Sequence, residues 1–571
     1  MASQISETKV RSGKALLGPV IVLSVFVNVL MLTGPLFMLQ VYDRVLGSRS
    51  QATLVSLFGL VVALYVLMGF MDFARGRLMA RTAARFRAGF DREIFDICLA
   101  KSLDPKERTQ SALGLRYLDA VQGFLTAPLA LALFDVLWTP LFIGAIFVFN
   151  PVLGWLAVAG GGTLIAVTLA NNFFTRRKVS AAQVKSQNAH GFAEHARQSS
   201  EIVRSQGMSR SIALRWQRIQ NEALLESILA SDWTGGFSAF TKSFRLFLQS
   251  AMLAVGAWLV LKGDLSAGAM IAASILLGRG LAPIEQSIGQ WSVVQRAVEG
   301  WRELKLLKSS APFQAETRIL PVPKVDLKFN AVSAYASDTK KPLLSGVSFS
   351  VEAGQVVGVI GNSGMGKSTL AKAMVGLLPA TSGEIRLGGV TLGQYDPDQL
   401  ARLIGYMPQD VTLFSGTVAE NIARMSIDPD TSKLFEAARR ANAHEMILSL
   451  PDGYQTMLNN GASHLSGGQR QRIAFARALY DDPLILVLDE PNSALESLGT
   501  DALNKAVREF RAMDRAVIIM THRPQAISEC DRLIVLEKGR IKANGPRDEV
   551  LQAMVKNTQD IGHMLMTRAA S

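Results

Sequence analysis

Apolar residues crowd the first half of the chain in long runs, whereas the second half carries short Val/Ile/Leu runs between polar segments. A helix that crosses a bilayer needs about 20 predominantly apolar residues. Six stretches qualify: Leu16–Val41, Ala52–Met71, Ala127–Phe149, Val152–Ala170, Phe244–Leu261 and Ser266–Trp291. Asn150 and Pro151 mark a tight turn between the third and fourth. The first run is too long for the apolar core of a signal peptide, and no small-residue cleavage site follows it, so it is expected to stay as a span.

Loop charge orients these spans. Lys9, Arg11 and Lys14 precede the first. The segment 72–126 carries ten basic residues from Arg75 to Arg116, and 171–242 is rich in Arg and Lys from Arg176 onward. The opposite loops are short and hold only Arg44, Arg49 and Lys262. The positive-inside rule puts the basic segments and both termini in the cytoplasm. Those two segments lack Pro/Gly/Ser clusters and favour helix, so the spans are expected to continue as helices beyond the bilayer and turn back. Ionisable residues inside spans are costly and face a cavity or a partner. Arg279 and Glu285, around Pro283, fit a substrate path, or alternatively an interfacial position for Glu285 and an interhelical partner for Arg279. Asp135 has the same two readings, packing against another helix being the favoured one.

Residues 308–324, with Pro312, Pro321 and Pro323, read as a linker. Beyond it, buried-strand runs alternate with helical patterns, which predicts an α/β domain. Gly361-Asn362-Ser363-Gly364-Met365-Gly366-Lys367-Ser368-Thr369 follows the strand-like run Val356–Ile360 and opens a helical pattern. That context defines a phosphate loop: glycine lets backbone N–H groups converge on phosphate oxygens, and a helix N-terminus points at the same place. Lys367 would neutralise phosphate and the Ser368 hydroxyl would ligate Mg²⁺. The run Leu484–Leu488 delivers Asp489 and Glu490 to a strand end. Asp489 suits a metal ion and Glu490 the attacking water of a phosphoryl transfer. Ser466-Gly467-Gly468-Gln469 makes a second anion site at the start of another helical stretch. A second subunit is the economical source of that second site.

At these residues the chain resembles the ABC ATPases, over about Val325–Val555, with Leu465–Gln469 as their signature motif. The resemblance implies ATP and Mg²⁺ as cofactors and a head-to-tail dimer that sandwiches ATP between phosphate loop and opposing signature. By position, it implies that Tyr335 stacks on adenine, a buried strand aromatic being the less favoured alternative. Gln409 would sense Mg²⁺ and the γ-phosphate, and His522 would contact the γ-phosphate. Six spans before one such domain resemble an ABC exporter half-transporter. The segments Met31–Leu46 and Ala273–Gln286 resemble the type I secretion ATPases, in the branch that exports proteases, lipases and hemophores. That branch has a short N-terminal extension, in contrast to the peptidase-like domain of the toxin and bacteriocin branches. The resemblance implies a homodimer, a periplasmic adaptor, an outer-membrane channel, and unfolded protein cargo with a C-terminal signal, often with calcium-binding repeats. The chain departs from the family at Glu496, where Asp is usual, and at Asn460, where Glu is usual.

The expected architecture is therefore a short cytoplasmic segment 1–15, a six-helix membrane domain 16–305, a linker 306–324 and an α/β P-loop ABC ATPase domain 325–571. The expected location is the bacterial inner membrane, in contact with its lipids and with the ATPase domain cytoplasmic. The net charge of +13 alone admits nucleic acid. Its concentration between apolar runs is explained by topology, so no nucleic-acid partner is expected. Cys98 and Cys530 have no metal spacing and are expected to be reduced structural thiols. Export of lipids or small amphiphiles, and an ATP-gated channel or scaffold, are the competing functional readings.

Overall fold

The computed structural model describes residues 17–104, 106–309, 319–335, 342–459, 465–491, 497–522 and 524–553. Asn460, Glu496, the segment 1–15 and residues 310–318 of the expected linker lie outside them. The chain divides into two compact units, with the main boundary at residues 311/312.

The first unit is helical. Its longer helices are α1 (Leu17–Leu30), α2 (Thr33–Gln40), α3 (Gln51–Lys101), α4 (Gly114–Thr126), α5 (Pro128–Val136), α6 (Thr139–Phe149), α7 (Pro151–Gln198), α8 (Ser209–Lys262), α9 (Ala267–Gly289) and α10 (Trp291–Ser309). Helices α3, α7 and α8 hold 51, 48 and 54 residues. At 1.5 Å per residue each is about 72–81 Å long, more than twice the hydrocarbon thickness of about 30 Å. They therefore continue past the bilayer as the composition predicts. Asn150 accepts from the Val152 N–H at 2.9 Å and Pro151 begins α7, which makes the expected tight turn.

Among the described residues, five helical stretches are long and apolar enough to span: Leu17–Ser48, α3, α7, α8 and α9. The third expected span, Ala127–Phe149, is broken between α5 and α6 at Leu137–Trp138. Pro140 supplies a reason: it has no N–H to give to the carbonyl one turn back, a loss that costs least in the first turn of a helix, where it sits in α6. Instead α4 and α5 bend by 57° into a second apolar pair. The Thr139 hydroxyl donates to the Gly280 carbonyl of α9 at 2.9 Å. Phe142 and Ile146 of α6, Leu153 and Leu164 of α7, Met252 of α8 and Leu277 and Leu281 of α9 form the main apolar core.

Polar ties hold the first helices. Arg75 of α3 is buried and grips Asp135 of α5 through both carboxylate oxygens, at 2.6 and 3.3 Å. It also bonds to Asp72 at 2.7 Å, while Asn28 of α1 donates to Asp135 at 2.9 Å. Asp135 thus serves helix packing. Glu285 is ion-paired with Arg245 of α8. Arg279 is exposed and makes no ion pair among the described residues. At the other end of the first span, Asp43 lies in a π-helical turn, Val41–Val45, and accepts from the Ser266 hydroxyl at 2.6 Å and the Gly268 N–H at 2.9 Å. Ser266 caps α9, so a carboxylate sits on that helix's first turn.

The second unit is α/β. Strands β1 (Asp326–Tyr335), β2 (Pro342–Glu352), β3 (Val356–Ile360), β4 (Ser382–Leu387), β5 (Val390–Thr391), β6 (Ile404–Met407), β7 (Gly416–Thr417), β8 (Met457–Leu458), β9 (Ile485–Asp489), β10 (Ala516–Met520), β11 (Arg532–Glu537) and β12 (Arg540–Pro546) follow in order. A six-stranded sheet runs β12-β11-β3-β10-β9-β6, and an antiparallel sheet runs β2-β1-β4-β5. Strands β11, β3, β10, β9 and β6 are parallel neighbours. They are buried on both faces, which is why β3, β9 and β10 read as unbroken apolar runs. Val356 and Ile360 face one core, Val357 and Val359 the other. Cys530 is buried and its thiol is pushed up to about 12 by burial, an inert structural position.

Candidate active site

The parallel sheet sets the site, because its strands end together. Helix α11 (Lys367–Met374) starts directly after the loop that leaves β3. Gly364 and Gly366 take left-handed φ of 79° and 102°. A Cβ on Gly366 would lie 3.1 Å from the Leu343 carbonyl, so glycine answers both the turn and the close approach. The Lys367 ammonium donates to the Gly361 carbonyl at 2.6 Å and the Asn362 carbonyl at 3.4 Å, which holds it across the mouth of the loop.

Strand β9 brings Asp489 and Glu490 beside the loop. Glu490 has φ of 50°, and its N–H donates to the Met520 carbonyl at 2.9 Å, so the backbone is fixed in a sparsely populated conformation. Gln409, just beyond β6, donates to the Glu490 carboxylate at 3.0 Å. Lys367 and the Nδ1 of exposed His522 each lie 3.7 Å from the same carboxylate. The Ser368 hydroxyl reaches the Gln409 amide oxygen at 3.5 Å. Lys367, Ser368, Gln409 and Glu490 therefore line one cavity of about 440 Å³ together with the rest of Asn362 to Thr369, while Asp489 is buried behind Glu490 and His522 touches the cavity only through its approach to the Glu490 carboxylate.

Asp489 is almost wholly buried, and its Oδ1 has no hydrogen-bond partner among the described residues. Burial raises its pKa, a hydrogen bond from Ser368 opposes this, and the Glu490 charge adds to the rise. A buried carboxylate with an open acceptor beside a hydroxyl and an amide oxygen is an all-oxygen donor set that fits Mg²⁺.

Two further expected groups stay outside the cavity. Tyr335 ends β1, half-exposed, opposite Pro342; Pro342 lines the cavity and Tyr335 does not. Ser466 and Gln469 form a capping box at the start of α12 (Gly467–Leu479), with bonds of 3.2 and 2.9 Å. Ser466, Gly467, Gly468 and Gln469 do not line the phosphate-loop cavity. Conversely, Pro342, Leu343, Lys538 and Gly539 form one wall that the sequence reading did not include. The Lys538-Gly539 dipeptide between two strand runs signals a hairpin, but nothing local in sequence brings it to the phosphate loop.

A phosphate loop, a strand-end Asp-Glu pair and a capped signature helix, joined to long membrane-crossing helices, define an ABC-type ATPase fused to an exporter membrane domain. The sequence matches the family models for the ABC transporter transmembrane region over residues 17–279 and for the ABC transporter over residues 344–493. The structure of a bacterial Atm1-family ABC exporter with ATP bound shares the fold, with a TM-score of 0.83 at 22% identity, covering 94% of this chain and 97% of that one. The type I secretion system ATP-binding protein PrsD of Rhizobium meliloti (strain 1021) is 39% identical over 542 residues, which span 94% of this chain and 92% of PrsD. The leukotoxin translocation ATP-binding protein LktB of Mannheimia haemolytica is 27% identical over 541 residues, 93% of this chain and 76% of LktB. The chain belongs to the ABC transporters of type I secretion systems: a multi-pass membrane protein that binds nucleotide and couples its hydrolysis to export.

Proposed function

We propose that this chain is the inner-membrane homodimeric motor that drives unfolded proteins with a C-terminal signal through a periplasmic adaptor and an outer-membrane channel. The observation that carries this reading is the 39% identity to a type I secretion ATP-binding protein along 94% of the chain. ATP is the nucleotide and Mg²⁺ the metal, which neutralises phosphate charge when bound. Lys367 and the N–H groups of residues 361–369 hold the phosphates. Ser368, Asp489 and Gln409 hold the metal. Glu490, oriented by Gln409, aligns the attacking water and accepts its proton, while His522 steadies the γ-phosphate. The position of Ser466–Gln469 outside the phosphate-loop cavity supports a dimer in which a second copy completes each site. The basic segments 72–126 and 171–242 support a cytoplasmic ATPase domain. Membrane domain 16–305, linker 306–324 and ATPase domain 325–571 are the working divisions.

The test is to trap the Glu490→Gln variant with MgATP in native membranes, crosslink, and identify what is retained. The reading expects an adaptor and one or a few secreted proteins. Retention of lipid and the transporter alone contradicts it and points to lipid export.

A further inference from the structure

The charges of the cavity wall do not balance in favour of an anion if only the motif residues are counted. Lys367 is the single cation among them, and it lies 3.7 Å from the Glu490 carboxylate, with buried Asp489 behind. A polyphosphate would meet a wall whose own charges cancel or turn negative.

The turn between β11 and β12 changes that sum. Lys538 takes φ of 48° and Gly539 φ of 74°, a tight turn that places both residues in the cavity wall. The turn is bonded to the phosphate loop through one residue. The Lys538 N–H donates to the Met365 thioether sulfur at 3.3 Å, and the Gly539 N–H donates to the Met365 carbonyl at 3.1 Å. The Gly539 carbonyl accepts from the Ser345 N–H at 2.9 Å, and a Cβ on Gly539 would lie 2.4 Å from the Leu343 carbonyl. The backbone of Lys538 is thus fixed on two sides. Its ammonium is exposed and makes no ion pair among the described residues; the adjacent Glu537 is instead paired with Lys542 at 2.8 Å.

We propose that Lys538 is a second phosphate-binding cation of the nucleotide site, placed there by Met365. A compact ammonium on a flexible stem suits phosphate oxygens as a point charge. Met365 belongs to the phosphate loop, a motif whose backbone N–H groups cradle phosphate. Its side chain is therefore free to serve as the sulfur acceptor for the turn. The inference rests on the cavity being the nucleotide site.

The experiment uses the full chain in nanodiscs with Lys538→Ala, Lys538→Arg, Met365→Ala and the Met365→Ala/Lys538→Ala pair. Lys538→Ala is expected to raise KM for MgATP about three- to tenfold with kcat within about twofold, a loss of binding common to ground and transition states. Lys538→Arg retains most of the affinity. Met365→Ala shows part of the rise, and adding Lys538→Ala to it costs less than in the wild type, the non-additivity of coupled residues. MgADP affinity falls with MgATP affinity, whereas adenosine affinity does not. An unchanged KM in Lys538→Ala overturns the proposal. So does Lys538→Arg failing as badly with a lowered melting midpoint, which would make the position structural, and so does equal loss of adenosine binding. Retained MgATP binding in Lys367→Ala would instead overturn the site assignment itself.

Discussion

Asp489 shows how a single residue trades stability for chemistry. Its folded pKa is raised, with burial the main cause. Below the unfolded pKa both states are protonated and nothing is lost. As pH rises, the unfolded chain ionises first, so the folded state carries a cost that is complete above the folded pKa. Asp489→Asn is therefore expected to raise the melting midpoint of the nucleotide-free protein at pH 7, by a margin that shrinks as pH falls, while abolishing Mg²⁺-dependent hydrolysis. Scanning calorimetry at two pH values checks this; a lowered midpoint at pH 7 contradicts it. Arg75 poses the reverse case. Its side chain is 5% exposed and that of Asp135 12%, so Asp135→Ala leaves a buried guanidinium with its bidentate partner gone, a loss of about 3–5 kcal/mol. Replacing both by apolar residues of similar size should recover most of the lost stability, as thermal melting of the solubilised protein will show. A double variant no more stable than Asp135→Ala rejects the pair as the source of the cost.

At the scale of elements, the contact between the first span and α9 depends on one missing side chain. A Cβ on Gly268 would lie 2.6 Å from the Asp43 carboxylate and 2.7 Å from the Leu39 carbonyl. Gly→Ala inside a helix ordinarily gains about 1 kcal/mol. Here the sign is expected to reverse, because a backbone carbonyl has to move. Thermal melting of Gly268→Ala against the control Gly162→Ala, a helix-interior site where nothing lies within 4 Å and the ordinary gain is expected, checks the reversal. A stabilised Gly268→Ala would show that the two helices separate freely at that end. The same elements show what a sequence discloses. The long helices were legible because their apolar and polar stretches follow one another without a breaker, and β3, β9 and β10 because a strand buried on both faces has an unbroken apolar run. The break at Leu137–Trp138 was not legible as such: Pro140 was visible, but apolarity carried the expected span straight across it. The polar ties were hidden as well, because Arg75–Asp135 and Asp43–Gly268 join residues 60 and 225 positions apart. At the site, Lys367 announced itself as the motif residue that opens a helix after a glycine-rich loop, and Asp489 and Glu490 as an acidic pair at a strand end. Lys538 did not, since only the crossover order of the sheet sets β11 beside β3.

For the whole molecule, nucleotide chemistry is confined to one unit and the long apolar helices to the other. Type I secretion requires the two to be coupled, so loss of hydrolysis has to appear as loss of export. Glu490→Gln is expected to cut turnover by at least about a hundredfold, the scale on which positioned acid–base groups act, while the chain still folds, inserts and binds nucleotide. The most direct measurement is therefore a comparison of secreted proteins from cells making equal amounts of the wild-type chain and Glu490→Gln. The account predicts that one or a few proteins disappear from the medium and accumulate inside the cell. An unchanged set of secreted proteins, where the wild-type chain is made and hydrolyses ATP, would contradict it.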